Sequence, residues 1–188
     1  MNFKPTLPIA VLLSFSILSC KKSSSSDTDT TTSPVLQASI GGNTWTPDTV
    51  SASITYNASL KTKTFYFKGT KDQKQIEASV QDYNPVDNQN FSGGSYVADN
   101  AGKNTFIYST QIKNSDGAYV FEPFGTVQTG NGNVTITAID SAAKTISGSF
   151  YFSATKPNYD ANGNLISVDV AGISGGTFTK LPFQQVRQ

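Results

Sequence analysis

The sequence contains no histidine and only one cysteine, and both shortages restrict its chemistry. Histidine is the commonest general base and the commonest transition-metal ligand, so its absence removes the usual means of filling either role. A single cysteine excludes an intrachain disulfide and a thiolate metal cluster. We therefore expect no cofactor, no metal site and no catalytic residue.

Charged residues are also scarce. Lys and Arg number 14 against 13 Asp and Glu, and charged residues make up 14% of the chain. Without a basic stripe, a nucleic acid is not expected as a partner. The polar remainder is mostly Ser, Thr, Asn and Gln, of which Ser, Thr and Asn compete for backbone hydrogen bonds in helices. This composition favours strands and turns.

A short apolar run near the N-terminus lacks the length of a membrane span. Leu7–Leu18 covers about 12 residues, whereas a spanning helix needs about 20. Lys4 precedes this run, and Ile17–Cys20 ("ILSC") follows the pattern of a bacterial lipobox. Residues 1–19 therefore resemble a lipoprotein signal peptide, which implies lipidation of Cys20 and attachment to a membrane through the lipid.

The rest of the chain divides by composition. Residues 20–33 hold the lipidated cysteine and a Ser/Thr-rich tether with too few apolar groups to fold. Residues 34–183 form one all-β domain, and residues 184–188 are expected to be a C-terminal tail. The expected location is the cell envelope, as an outer-membrane lipoprotein. The periplasmic and cell-surface faces both stay open.

Alternating apolar and polar residues dominate after the tether. The alternation is clear in Val50–Tyr56 and Gln75–Gln81, and Leu165–Val170 and Thr177–Thr179 are expected as two further strands. Turn-forming clusters of Asn, Asp, Gly and Ser separate the segments. The connections are too short for crossover helices, so consecutive strands should pair antiparallel. The pattern predicts an antiparallel β-sandwich of about 9–11 strands, with a closed up-and-down, lipocalin-like barrel as the alternative.

Two stretches resemble a known family. "ASIGGNTWTP" (residues 38–47) is similar to an A-x-I-N-G-x-x-W opening, and "GNVTITAIDSAAKTISGSFYFSA" (residues 132–154) with "ISGGTFT" resembles its closing pattern. Both patterns recur in small lipoproteins of Bacteroidetes-type bacteria that are grouped as a domain of unknown function. The resemblance covers most of residues 36–180 and implies an exported all-β lipoprotein. It carries no catalytic or binding residues.

Three aromatic residues are candidates for stacking on a ligand such as a glycan. Trp45 is the sole tryptophan, and Tyr83 and Tyr159 lie in or beside expected loops. The competing interpretation places Trp45 in the core, because its large ring is readily buried.

Three Asp-Ser/Thr-apolar triplets resemble the sequence that protein O-glycosylation recognises in Bacteroidetes-type bacteria. The residues that would carry the sugar are Thr30, Thr49 and Ser141.

The loop Asp160–Asn164 ("DANGN") has oxygen-bearing side chains at alternate positions, as at the start of a calcium loop. Asn-Gly is also a favoured hairpin turn, and we expect a hairpin here.

These observations predict a non-catalytic binding or structural accessory module, whose partner is a glycan or another envelope protein. A glycan hydrolase that uses only carboxylates, and a lipocalin-like carrier of an apolar ligand, are the alternatives.

Overall fold

The computed structural model describes residues 35–82, 91–99 and 101–188. These residues form strands and turns with no helix among them, which confirms the all-β class. In this part of the chain no helix has the length and hydrophobicity to cross a membrane. The expected signal peptide, the lipidated Cys20 and the tether lie outside the described residues.

The described residues contain twelve strands. In chain order they are β1 (Leu36–Ile40), β2 (Asn43–Trp45), β3 (Thr49–Asn57), β4 (Thr62–Lys71), β5 (Lys74–Asp82), β6 (Gly94–Val97), β7 (Thr105–Lys113), β8 (Tyr119–Pro123), β9 (Thr126–Asp140), β10 (Thr145–Tyr159), β11 (Leu165–Pro182) and β12 (Gln184–Arg187).

The strands form two six-stranded sheets that pack face to face. The first sheet has the order β2-β1-β11-β10-β9-β6, and the second has the order β12-β3-β4-β5-β7-β8. All neighbouring pairs are antiparallel except β12 and β3, which run parallel. The sandwich prediction is confirmed. The lipocalin-like barrel was wrong, because the sheets stay separate and aromatic side chains fill the space between them.

Those aromatic side chains come from both sheets. Phe65 and Phe67 of β4 are fully buried. Phe67 lies 5.1 Å from Phe150 of β10 and 5.5 Å from Phe178 of β11, measured between ring centroids. Because side chains alternate along a strand, the period of two in the sequence places these rings on the inner faces. Each fully buried Phe stabilises the fold by roughly 2–3 kcal/mol.

The strand count of nine to eleven was slightly low. Residues 184–188, expected as a tail, include β12, which lies beside the edge of β3. The side chains of β12 are largely exposed, so apolar alternation gave no sign of it. Backbone hydrogen bonds hold the segment, including one from the Gln188 amide to the Tyr56 carbonyl at 2.9 Å.

Candidate binding surface

Trp45 does not present its ring to solvent. Only 5% of the residue is exposed, and it belongs to the hydrophobic core. Its Nε1 donates a long hydrogen bond of 3.5 Å to the Lys71 carbonyl, and its ring lies over Gly69, where a Cβ would come within 3.0 Å of it. The stacking prediction for Trp45 was therefore wrong, and its alternative as a core residue is confirmed.

The other two stacking candidates differ from Trp45. Tyr159 is 59% exposed at the end of β10, so its ring is accessible. Tyr83 lies outside the described residues. The structure thus brings no two of the predicted stacking residues together among those it describes.

The glycosylation candidates are accessible where the structure describes them. Thr49 is exposed at the start of β3, and Ser141 is exposed in the turn between β9 and β10. Thr30 lies outside the described residues. Modification of these residues stays a prediction, which the intact mass of the native protein would check.

A buried polar cluster closes one end of the core. Lys63 of β4 and Asp82 of β5 are cross-strand partners and are both buried. The Ser92 amide donates to Asp82 Oδ2 at 3.0 Å, and the Tyr96 hydroxyl donates to the Ser92 carbonyl at 2.8 Å. Burial, with the Asp82 charge as a second cause, raises the pKa of Tyr96. These contacts join the two sheets and satisfy the polar groups there.

This cluster does not supply a pair of facing acids. Among the described residues Asp82 is the single buried carboxylate. Glycoside hydrolysis needs two carboxyl groups about 5–9.5 Å apart on either side of the substrate. Glu77, on the outer face, accepts a hydrogen bond from the Tyr66 hydroxyl at 2.9 Å.

Two of the surface grooves on the described residues have volumes of about 470 Å³ and 280 Å³. The larger lies where the chain enters the domain, between Val35, Pro47 and Pro182. The smaller lies between Asn104, Phe106 and Val127. Asp99 and Asn104 line part of the smaller groove, and their side chains already bond to the Lys103 amide and the Val97 carbonyl.

The most distinctive surface is a two-stranded extension of the first sheet. β10 and β11 pair from Thr155 opposite Val170 to Tyr159 opposite Leu165, with a register shift between Asn158 and Tyr159. On the β10 side, pairing with β9 ends at Thr155. On the β11 side, the β1 register ends at Ile173, and the last bond runs from the Gly41 amide to the Gly172 carbonyl. We call residues 155–170 the ribbon.

One face of the ribbon is polar. Lys156 and Asn158 of β10 lie opposite Asp169 and Ser167 of β11. Asn158 Nδ2 donates to Ser167 Oγ and to Asp169 Oδ2, each at 3.0 Å. Alternation places this face on the same side as the buried Ala154, so it continues the inner face of the sheet beyond the core.

The opposite face of the ribbon is apolar and open to solvent. It includes Val170, Val168 opposite Pro157, and Leu165 opposite Tyr159. Val170 is 62% exposed and Leu165 is 57% exposed, and Val168 is also exposed. Single exposed apolar residues are ordinary, but a row of aliphatic side chains on one face is typical of an interaction surface.

A structured turn closes the ribbon. Asp160 Oδ1 accepts hydrogen bonds from the amides of Asn162 and Asn164, and Oδ2 accepts one from the Asn164 side chain. The bonds from Asn164 lower the pKa of Asp160 most. Gly163 has a φ of +84°, which favours glycine. The predicted hairpin is confirmed, with a longer connection than the two-residue Asn-Gly turn.

The sequence predicted the strand Leu165–Val170 but not its exposure. Alternating aliphatic residues in a strand are typical of a buried face, and only the length of the neighbouring strands decides whether a second layer covers them. Pro157 in β10 was a weak indication that this part of the sheet is an exposed edge, because proline within a sheet is confined to edges and bulges.

Comparison with known proteins gives a family. Residues 32–182 match the family described as "Domain of unknown function (DUF6252)". Neither the curated proteins nor the solved structures contain a significant match. The matched range includes β1 to β11, and therefore both sheets and the ribbon. The chain belongs to this family, the Domain of unknown function (DUF6252).

Proposed function

We propose that the chain is a lipid-anchored module of the bacterial cell envelope that acts by binding, without catalysis, through the ribbon. The observation that carries the proposal is the apolar face of the ribbon, which extends beyond a core that is already complete. Burying each exposed aliphatic side chain against a partner would contribute about 1.5–3 kcal/mol before the costs of association.

The sequence supports the anchor. Ile17–Cys20 resembles a lipobox, and the domain resembles lipoproteins of Bacteroidetes-type bacteria.

The chemistry of the ribbon favours a protein partner over a glycan. Aliphatic side chains and unpaired strand edges bind other strands or apolar protein surfaces. Glycan binding would draw on several stacking aromatics, and of the predicted candidates that the structure describes Trp45 is buried and Tyr159 alone is accessible. The hydrolase alternative is disfavoured because a second buried carboxylate is missing from the described residues.

Native electrophoresis of the full chain, extracted from membranes in mild detergent, tests the proposal. The wild-type chain should migrate as a complex larger than the monomer. Val168→Thr with Val170→Thr should move it to the monomer position, since both residues keep β-branching but lose apolar contact.

The control is Ile112→Thr with Val120→Thr. These two residues are cross-strand partners on the β7–β8 hairpin and are each 40% exposed. This variant should migrate like the wild type. A monomeric wild-type chain, or an equal effect of the two double variants, would contradict binding through the ribbon.

A further inference from the structure

The central section of the first sheet is made entirely of uncharged residues. It consists of β1, β6 and residues 126–139, 145–154 and 171–179 of β9, β10 and β11. The charged residues of these strands lie at the margins, in the ribbon and beside the turn between β9 and β10. The outer face of the second sheet differs, since Lys68 lies there opposite Glu77. A hydrated surface usually carries charges of both signs, so a neutral one restricts the class of partner.

A row of polar side chains crosses the outer face of this section over five strands. Its members are joined as cross-strand partners, and in order they are Ser95, Thr135, Ser149, Thr177 and Gln37. Neighbouring strands lie about 4.8 Å apart, so the row is roughly 19 Å long. We call these five residues the polar row. It presents four hydroxyl groups and one amide along a line perpendicular to the strands.

Tyr151 lies beside the polar row. It is 53% exposed and is two residues from Ser149 on the same face of β10, a distance of about 7 Å. Its cross-strand partner on β9 is Asn133. Asn133 Oδ1 accepts a hydrogen bond from Ser95 Oγ at 2.7 Å, and Asn133 Nδ2 donates one to Thr135 Oγ1 at 3.0 Å. These bonds fix the orientation of the amide next to the tyrosine ring.

The other side of Tyr151 is open. A bulge in β11 lies opposite this residue, and the residues at the bulge are Ser174 and Gly175. A Cβ on Gly175 would have nothing within 4 Å among the described residues. An exposed aromatic ring with an oriented amide on one side and space on the other is suited to stacking on a sugar ring and bonding to its hydroxyl groups.

We infer that the outer face of the first sheet binds a neutral polysaccharide, which crosses the strands along the polar row with a sugar ring stacked on Tyr151. The charge of the face selects this class of partner. An acidic polysaccharide, a nucleic acid or an anionic lipid surface would find no cation in the central section. A protein partner would draw on apolar anchors, whereas the polar row offers hydroxyl and amide groups. A flat row of this length suits an extended chain better than a small sugar.

This inference goes beyond the proposed function, because the ribbon is a different part of the sheet and offers apolar contacts. Tyr151 was not among the predicted stacking residues, since the sequence directed attention to aromatic residues in or beside loops. Trp45 is buried on the inner side of the same sheet, so its fluorescence does not report on this surface.

Affinity electrophoresis of the full chain in mild detergent tests the inference. Separate native gels contain dextran, hydroxyethylcellulose or galactomannan as neutral polysaccharides, or alginate as an acidic one. The wild-type chain should be retarded by a neutral polysaccharide and not by alginate. Tyr151→Ala should bind about tenfold more weakly, because it removes the stacking ring. Thr135→Val with Thr177→Val should also bind more weakly, because it removes two hydroxyl groups and keeps β-branching.

Two matched controls lie on the second sheet. Tyr119→Ala removes another exposed tyrosine, which is 63% exposed on β8. Thr55→Val with Thr64→Val changes a cross-strand pair in the same way as the variant of the polar row. Both controls should be retarded like the wild type. Equal weakening by the controls, equal retardation by alginate, or a wild-type chain that no neutral polysaccharide retards would overturn the inference.

The ribbon variant separates this inference from the proposed function. Val168→Thr with Val170→Thr should lose the native complex in a gel without polysaccharide, yet keep the retardation by the neutral polysaccharide. A wild-type chain that is monomeric without polysaccharide but retarded by it would remove binding through the ribbon alone. A native complex that no neutral polysaccharide retards would remove only the polysaccharide site.

Discussion

At the scale of residues, most of the candidate site was not predictable from the sequence. Trp45 could have been a stacking platform or a core residue, and both fit its neighbours in the chain. Burial decides between them, and burial depends on residues of other strands, such as Gly69 of β4, over which the ring lies. The accessibility of the glycosylation triplets was easier to predict, because turn residues are usually exposed.

The fluorescence of the sole tryptophan reports on Trp45 alone. Because Trp45 is buried, we expect a blue-shifted emission, little quenching by acrylamide and no response to a panel of glycans. Unfolding in urea should restore the quenching. A native emission that is quenched as strongly as the unfolded chain, or that shifts with a glycan, would contradict the core placement.

Gly176 in β11 has no room for a side chain. A Cβ there would lie 2.6 Å from the Phe150 carbonyl oxygen and 2.7 Å from ring carbons of Phe150. We expect Gly176→Ala to lower the free energy of unfolding by about 1–3 kcal/mol. Gly172→Ala in the same strand is the control, because nothing lies within 4 Å of its added Cβ. Urea unfolding that fails to separate the two variants would refute the packing argument.

Two tyrosines make the fold sensitive to alkaline pH. The pKa of Tyr66 is raised by burial and by its hydrogen bond to Glu77, and the pKa of Tyr96 is raised by burial and by the Asp82 charge. In the unfolded chain these groups lose their protons near the ordinary value of 10.0. The unfolded state therefore releases protons first, and stability falls as pH rises above that value.

Urea midpoints measured from about pH 8 to about pH 11 check this dependence. The wild-type midpoint should fall steeply above pH 10. The double variant Tyr66→Phe and Tyr96→Phe should show a shallower fall, because two of the linked groups are gone. If the urea midpoint of the variant falls with pH as steeply as that of the wild type, other groups cause the loss of stability at alkaline pH.

At the scale of elements, the alternating segments predicted most strands, and the errors have physical causes. The sequence predicted two strands at Leu165–Val170 and Thr177–Thr179, but these segments belong to one strand, β11. A bulge near Gly175 lets the strand continue across the glycines between them. The sequence did not predict β12, because its side chains are exposed and it pairs parallel to β3. Exposed strands have no apolar period to detect.

The turn of the ribbon gives a prediction for an element. Asp160→Ala removes the acceptor for three hydrogen bonds, two of them from backbone amides. We expect faster hydrogen exchange at residues 160–170, with little change in the urea midpoint, because the turn is remote from the core. Asp116→Ala in another exposed turn is the control. An Asp160→Ala variant with wild-type exchange in the ribbon would contradict the structural role of this carboxylate.

At the scale of the whole molecule, the fold class followed from composition and period, whereas the length of the strands did not. β10 and β11 extend beyond the second sheet, and this mismatch creates the ribbon. No local sequence pattern predicts how far the strands of one sheet extend beyond the other sheet. The exposed apolar face of the ribbon therefore became visible only when both layers were in place.

We propose that this sandwich works at a membrane, to which Cys20 attaches it. Metabolic labelling with radioactive palmitate, followed by membrane fractionation, tests that claim most directly. We predict that the label enters the wild-type chain, that the chain sediments with membranes, and that Cys20→Ser loses both properties. An unlabelled wild-type chain, or equal labelling of the Cys20→Ser chain, would contradict the account.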